Sequence, residues 1–358
     1  MTNPSYKLLF MSTAVGTLGS GLSGGVEVTL SNTAKAMLKR GHKVDIVAPE
    51  GSRSGSLPLI EIPGNTQNPA QDQKRDEQIY IPNNSVLANM WSYADQVQEN
   101  YDLILNFSYD WLPLYLTQFF TCPVAHLISM SSLTDAMDDM ITKVATKFPG
   151  AIGVHSKTQA ATFPCAEECV CLLNGLDLSL YQFCDQPGNS LGWVGRIAPE
   201  KGLEDAVAAA NTLGMPLKVF GLIQNEEYWQ KIRQDYPNAQ IDYQGFLSTT
   251  ELQAGLGQCQ AMLATPHWID AFPTVGLEAS ACGVPVIAYS RGGLVEIVED
   301  GKTGFLVEPD SVQGLIEAVK NLHTIDRQIC RQRAESLYSL EAMGGRLEKW
   351  FHKILSKV

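Results

Sequence analysis

Asp270-Ala-Phe-Pro-Thr-Val-Gly-Leu-Glu278, running on into Ala-Ser-Ala-Cys-Gly283-Val-Pro-Val-Ile-Ala288, is the stretch whose reading decides the fold. Pro273 suits the first turn of a helix, where a backbone N–H would be unpaired in any case. The spacing predicts a helix from there to Gly283 and a buried strand over Val284–Ala288. At the helix start the N–H groups of Thr274, Val275 and Gly276 would point outward. Such an end carries partial positive charge and suits a diphosphate. Asp270 and Glu278 would bracket that anion site and hold hydroxyls on either side of it. An anion flanked by polyols describes a sugar nucleotide. The lesser reading of the segment alone is a capped helix with two surface acids, and the rest of the chain weighs against it.

Outward from this stretch, short apolar runs alternate with amphipathic ones, the pattern of parallel sheets covered by helices on both faces. Strands are expected at Lys7–Met11, Lys43–Val47, Leu103–Asn106, Val124–Ile128, Gly150–Val154 and Val170–Leu173. The turn-rich Cys184–Asn189 reads as a linker. A second series follows at Leu191–Gly195, Leu217–Phe220, Ile241–Gln244, Ala261–Ala264 and Val284–Ala288. The fold class is therefore α/β, with two Rossmann-like domains, 1–185 and 186–335, and ligands beyond the carboxyl ends of the strands in a cleft between them. Residues 336–358 carry Leu347, Trp350, Phe351 and Ile354 at helical spacing. The stretch from Gly51 to Asn84, rich in Gly, Pro, Asn and Gln, reads as surface loops.

At 358 residues each half can bury its own core. Eleven Lys+Arg stand against 18 Asp+Glu through Asp185, and 15 against 20 thereafter, so both halves share the net charge of −12. Nucleic acid and anionic membrane surfaces are poor partners for such a chain. No apolar run of about 18 residues marks a membrane span, and the N-terminus enters a strand without a signal-peptide pattern. The eight cysteines are scattered. Cys165, Cys169 and Cys171 cluster, but no further Cys or His group stands at zinc spacing, so reduced thiols and a cytoplasmic location are expected.

Asp270 to Glu278 resembles the E-x7-E motif of retaining GT-B glycosyltransferases of family 4, with Asp for the usual first Glu and Pro273 where Gly is commonest. Gly195-Arg-Ile-Ala-Pro-Glu-Lys201-Gly202 is similar to the same family's G-R-x-x-x-E-K-G segment. Gly21-Leu-Ser-Gly24-Gly25-Val-Glu27 resembles its G-G-x-E loop, and Asn174-Gly-Leu-Asp177 its hinge. The resemblance implies a GT-B fold whose last helix crosses back to the first domain. It implies that Arg196 and Lys201 neutralise a donor diphosphate, which gains charge as the sugar bond breaks. Glu278 would hold the ribose and Asp270 the transferred sugar. Gly24, Gly25, Phe246, Phe272, Pro273, Thr274 and Val275 complete the donor-binding set, and Gly292-Gly293 lies behind the pocket. Alternative glycine motifs fail on spacing: Gly16, Gly19 and Gly21 run opposite to the dinucleotide fingerprint, and Glu296 occupies the first Gly position a Walker A motif would need before Gly301-Lys-Thr303.

The family's His near the donor sugar aligns with Ser129. His126, three residues earlier, is carried as a catalytic candidate, although a mid-strand His is more often packed in the core. No metal and no cofactor are implied: Asp135, Asp138 and Asp139 form no D-x-D at a strand end. The donor pointed to is UDP-glucose. For the acceptor, Tyr109, Asp110 and Trp111 offer aromatic faces beside an acid, able to stack on a flat heterocycle and accept its N–H bonds, and Ser129 completes the acceptor-binding set. The chain is also similar to cyanobacterial enzymes that glucosylate reduced pterins such as tetrahydrobiopterin. Alternatives are a sugar, a lipid-linked saccharide or another metabolite as acceptor, a GT-B sugar-nucleotide epimerase, or a non-catalytic nucleotide-sugar binder.

Overall fold

The structure is a computed structural model that describes residues 5–20, 24–70 and 73–357. The chain divides into two compact units, Met1–Gly175 with Leu340–Val358, and Leu176–Ser339. The crossings fall at 175/176 and 339/340, not at 185/186 and 335/336. The reason is local bonding: the Leu176 amide donates to the Tyr338 carbonyl (2.7 Å), and Arg327 takes the Cys184 carbonyl (2.6 Å). The linker is thereby drawn into the second unit.

In the first unit, β1 (Lys7–Met11), β2 (Lys43–Pro49), β3 (Leu59–Ile62), β4 (Leu103–Asn106), β5 (Val124–Ile128), β6 (Ile152–Val154) and β7 (Val170–Cys171) form one parallel sheet in the order 3-2-1-4-5-6-7. Strands buried on both faces carry apolar residues at every position. Leu8 and Phe10 join the core under the C-terminal helix Leu340–Leu355, while Leu9 and Met11 join the opposite core with Leu87 and Trp91. The second unit holds β8 (Leu191–Val194), β9 (Leu217–Phe220), β10 (Ile241–Gly245), β11 (Met262–Ala264), β12 (Val286–Tyr289) and β13 (Gly304–Val307), parallel in the order 10-9-8-11-12-13.

Two strands lie outside the expected set. β3 sits inside the stretch read as loops, and β13 follows Gly301-Lys-Thr. Other ends are trimmed where the backbone turns left-handed: Gly150 (φ +89°) delays β6, and Leu173 (φ +56°) limits β7. The order of each sheet reverses once, between β1 and β4 and between β8 and β11, and open sheets bind ligands at the carboxyl ends of such strands. No helix among the described residues is long and apolar enough to cross a membrane.

Candidate functional site

At the switch point of the second unit, Gly195 and Arg196 leave β8 and a short 3-10 turn, Pro199–Lys201, leads into Gly202. Gly202 has φ +64°, and a Cβ there would come within 2.0 Å of the Thr265 carbonyl, so only glycine lets this loop press on the end of β11. The Thr265 hydroxyl donates to the Gly202 carbonyl (2.6 Å) and accepts from the Trp193 indole (3.2 Å), and the His267 amide donates to the Glu200 carbonyl (2.9 Å). Zipping these two loops together brings Lys201 Nζ to 2.7 Å from Asp270 Oδ2 and 4.8 Å from the centre of the Trp268 ring. Arg196 is steadied by Glu200 (3.3 Å) and by Gln224.

From the other side, the Gly293 amide donates to the Asp270 carbonyl (2.8 Å), fixing the loop that carries Asp270. The helix spans Thr274–Ala281, so Pro273 is its cap residue and not part of the first turn. One expectation is corrected here: the Gly276 amide donates to the Pro273 carbonyl (3.1 Å) and is not free for an anion, leaving Thr274 and Val275 as the outward amides. The Phe272 ring is buried edge-on against Tyr338, ring centres 6.1 Å apart, so a donor would meet this residue at its backbone. Glu278 accepts from the Tyr181 hydroxyl (2.9 Å), and burial pushes its carboxyl up to about 7. Phe246, at the end of β10, is 75% exposed.

Sequence reasoning missed two residues of this site. Tyr181, just past the Asn174–Asp177 segment, fixes Glu278. Trp268 lies under Lys201, and its buried indole N–H has no partner among the described residues. The signal for Trp268 was its place between β11 and Asp270. Asp205, His267 and Asp310 form a group with metal-like spacing. Its carboxylates are already served: the Tyr289 hydroxyl donates to Asp205 (2.6 Å) and Arg291 grips both oxygens of Asp310.

In the first unit, His126 is corrected as a catalytic candidate. It lies fully buried in β5, with Nδ1 3.1 Å from the Asn106 amide nitrogen and Nε2 2.8 Å from the Thr117 hydroxyl. Because the Asn106 amide is a donor and the Thr117 hydroxyl donates onward to the Pro113 carbonyl, the ring is neutral with its proton on Nε2. Burial pushes its pKa down to about 3. Ser129, just beyond β5, keeps a buried hydroxyl with no partner among the described residues.

Tyr109, Asp110 and Trp111 follow β4 at this unit's switch point but do not converge. Asp110 accepts from Ser108 (2.8 Å) and Gln67 (2.9 Å), with burial raising its carboxyl to about 6. The Tyr109 hydroxyl accepts from the Leu133 amide (3.3 Å). Trp111 stacks on Tyr115, centres 4.7 Å apart and 13° from parallel. Gly24 (φ +55°) caps the helix that Gly25 opens, and Glu27 reaches back to the Gly19 amide (2.7 Å). Gly21, Leu22 and Ser23 of the same motif lie outside the described residues.

Residues 185–336 match the family of glycosyl transferases, group 1. Glycogen synthase of Mycobacterium tuberculosis is 31% identical over 169 residues, which is 44% of this chain and 41% of that protein. D-inositol 3-phosphate glycosyltransferase of Mycobacterium leprae is 27% identical over 218 residues, 56% of this chain and 49% of that one. The chain thus spans less than half the length of these curated relatives. Among solved structures, Anabaena HepE in complex with UDP and glucose superposes with a TM-score of 0.76 at 18% identity, covering 99% of this chain and 100% of that one. Sucrose-phosphate synthase from Thermosynechococcus elongatus gives the same TM-score, identity and coverage. The fold is GT-B.

Proposed function

We propose that this chain is a retaining glycosyltransferase that moves glucose from UDP-glucose to a small soluble acceptor, with tetrahydrobiopterin the acceptor to test first. The observation that carries the reading is the meeting of Lys201, Asp270 and the start of the helix holding Glu278, within the unit that matches group 1 glycosyl transferases. HepE has been solved with UDP-glucose, which supports the choice of donor. In this reading the diphosphate takes over the Lys201 ammonium, releasing Asp270 to the hydroxyls of the transferred sugar. Arg196 and the amides of Thr274 and Val275 share the charge that UDP gains as the anomeric carbon–oxygen bond breaks. The ionised Glu278 accepts from the ribose hydroxyls. The acceptor attacks from the face the leaving group vacates, and its proton passes to the departing phosphate oxygen. The positive charge comes from the protein, so no divalent ion is invoked. Residues 1–185 would recognise the acceptor, and the reaction would belong to the cytoplasm.

The test is UDP release from UDP-glucose with and without tetrahydrobiopterin, with products identified by mass spectrometry. A glucosylated pterin is expected. UDP release indifferent to pterin would reopen the acceptor. Conversion of the sugar nucleotide without UDP would favour an epimerase, and no turnover of any sugar nucleotide would leave a binding protein.

A further inference from the structure

The first unit carries a cavity of about 570 Å³ between the helices Trp111–Leu116 and Asp135–Lys147. That volume is in the range of roughly 300–1,000 Å³ typical of small-molecule sites. Its walls are apolar, with Trp111, Tyr115, Met140 and Phe148 prominent. Its charged lining residues are Lys143 and Lys147, with no carboxylate, in a chain of net charge −12. Lys147 is held by neutral groups: its ammonium donates to the Gln118 side-chain oxygen (3.1 Å) and lies 5.6 Å from the centre of the Phe148 ring. Neither lysine has a carboxylate partner among the described residues. A second cavity of about 300 Å³ shares Lys147 and Phe148, adds Lys357, and again has no acid in its lining.

A lysine in the last turn of a helix complements the helix dipole, which accounts for Lys147 but not for the lack of acids on the facing helix. Nor does it account for the aromatic ladder there. Trp111, Tyr115 and Phe119 follow at intervals of four, with ring contacts of 4.7 and 5.6 Å, and Phe119 remains 60% exposed. A single exposed aromatic such as Phe119 is ordinary, whereas the stacked Trp111 and Tyr115 lining a concave apolar wall mark a binding surface.

We propose that this cavity is a binding site for an amphiphilic anion, a single molecule with a long alkyl or prenyl chain and one phosphate group. The chain fills the apolar wall between the two helices, and Lys143 and Lys147 take the phosphate at the mouth. The site is separate from the donor site on the second unit, and its test reads binding alone.

Isothermal titration of the full chain with dodecyl phosphate below its micelle concentration provides that test. Saturable 1:1 binding is expected, weakened roughly tenfold in K143E/K147E, where two exposed attractions become repulsions. Thr146, exposed in the cavity lining, allows T146W to block the cavity without disturbing the core, and binding should be lost while circular dichroism is unchanged. Absence of saturable binding would overturn the proposal, as would equal affinity for dodecyltrimethylammonium or undiminished binding to T146W. Attachment to phosphatidylglycerol vesicles without binding of the monomer would also overturn it, in favour of a membrane-facing surface.

Discussion

At the scale of single residues, Lys201 and Glu278 carry the most testable chemistry. Lys201→Ala removes the ammonium that would meet the diphosphate, and transfer should fall by about 10²–10³, the usual weight of one group aimed at developing charge. Its pair with Asp270 is only 19% exposed on each side, so the variant also strands a largely buried carboxylate and the melting temperature should fall as well. Undiminished turnover in this variant would remove Lys201 from the phosphate site. Glu278 makes a pH prediction. Burial raises its carboxyl from an ordinary 4.5 to about 7, against the opposing pull of the Tyr181 hydroxyl. Ribose hydroxyls favour the ionised form, so donor affinity should rise as pH climbs through about 7, and binding near pH 6 should release a proton. Stability runs the other way: between about 4.5 and 7 the folded state holds a proton that the unfolded state has lost, so this group's contribution falls as pH rises. Donor titrations in two buffers of different ionisation enthalpy read the proton directly, and Glu278→Gln should flatten the profile. A wild-type affinity independent of pH would exclude Glu278 from the donor pocket.

At the scale of elements, the loops matter more than the strands they connect. Gly293 has an unremarkable φ of −64°, but a Cβ there would lie 2.4 Å from the Ala271 carbonyl. Gly293→Ala therefore pushes away the segment carrying Asp270, and should weaken UDP-glucose binding tenfold or more while costing about 1–3 kcal/mol of stability. Equal donor affinity in calorimetric titration, with only the melting temperature lowered, would mean that the loop does not set the site. The central strands were legible in the sequence because double-sided burial writes a continuous apolar run. The two unforeseen strands, β3 and β13, are the edges of their sheets, short and partly buried, with Leu59-Ile-Glu-Ile set among polar and turn-forming residues. The spacing of Arg196, Lys201, Asp270 and Glu278 was legible because each lies in a short local motif. Tyr181 and Trp268 were not, since Tyr181 reaches Glu278 across 97 residues and Trp268 meets Lys201 only once two loops are zipped together. For His126 the strand position favoured a core residue, but its partners Asn106 and Thr117 come from a neighbouring strand and from the turn that precedes its own strand.

At the scale of the whole molecule, the chain returns to its first unit at Leu340, and the last helix completes that unit's core. Arg40 ties it by ion pairs to Glu341 (2.5 Å) and Glu348 (2.6 Å), and the Trp350 indole donates to the Gly150 carbonyl (2.6 Å). Gly153 on β6 is the surface that receives this ring: a Cβ there would stand 2.8 Å from it. Trp350→Ala would leave a cavity against Gly153 and remove the Gly150 carbonyl's partner, at about 3–5 kcal/mol. At roughly 2–4 °C per kcal/mol for a domain of this size, the first unit's transition should drop by on the order of 10 °C. The donor site proposed above uses residues of the second unit, whose core of Leu191, Trp193, Leu263 and Ile287 does not include Trp350. Calorimetric scans should therefore show one transition displaced, while UDP-glucose titrated below it binds with wild-type affinity. If donor affinity fell at a temperature where the first unit is still folded, the terminal helix would be acting on the second unit's site, and the assignment of the donor to the second unit alone would have to be abandoned.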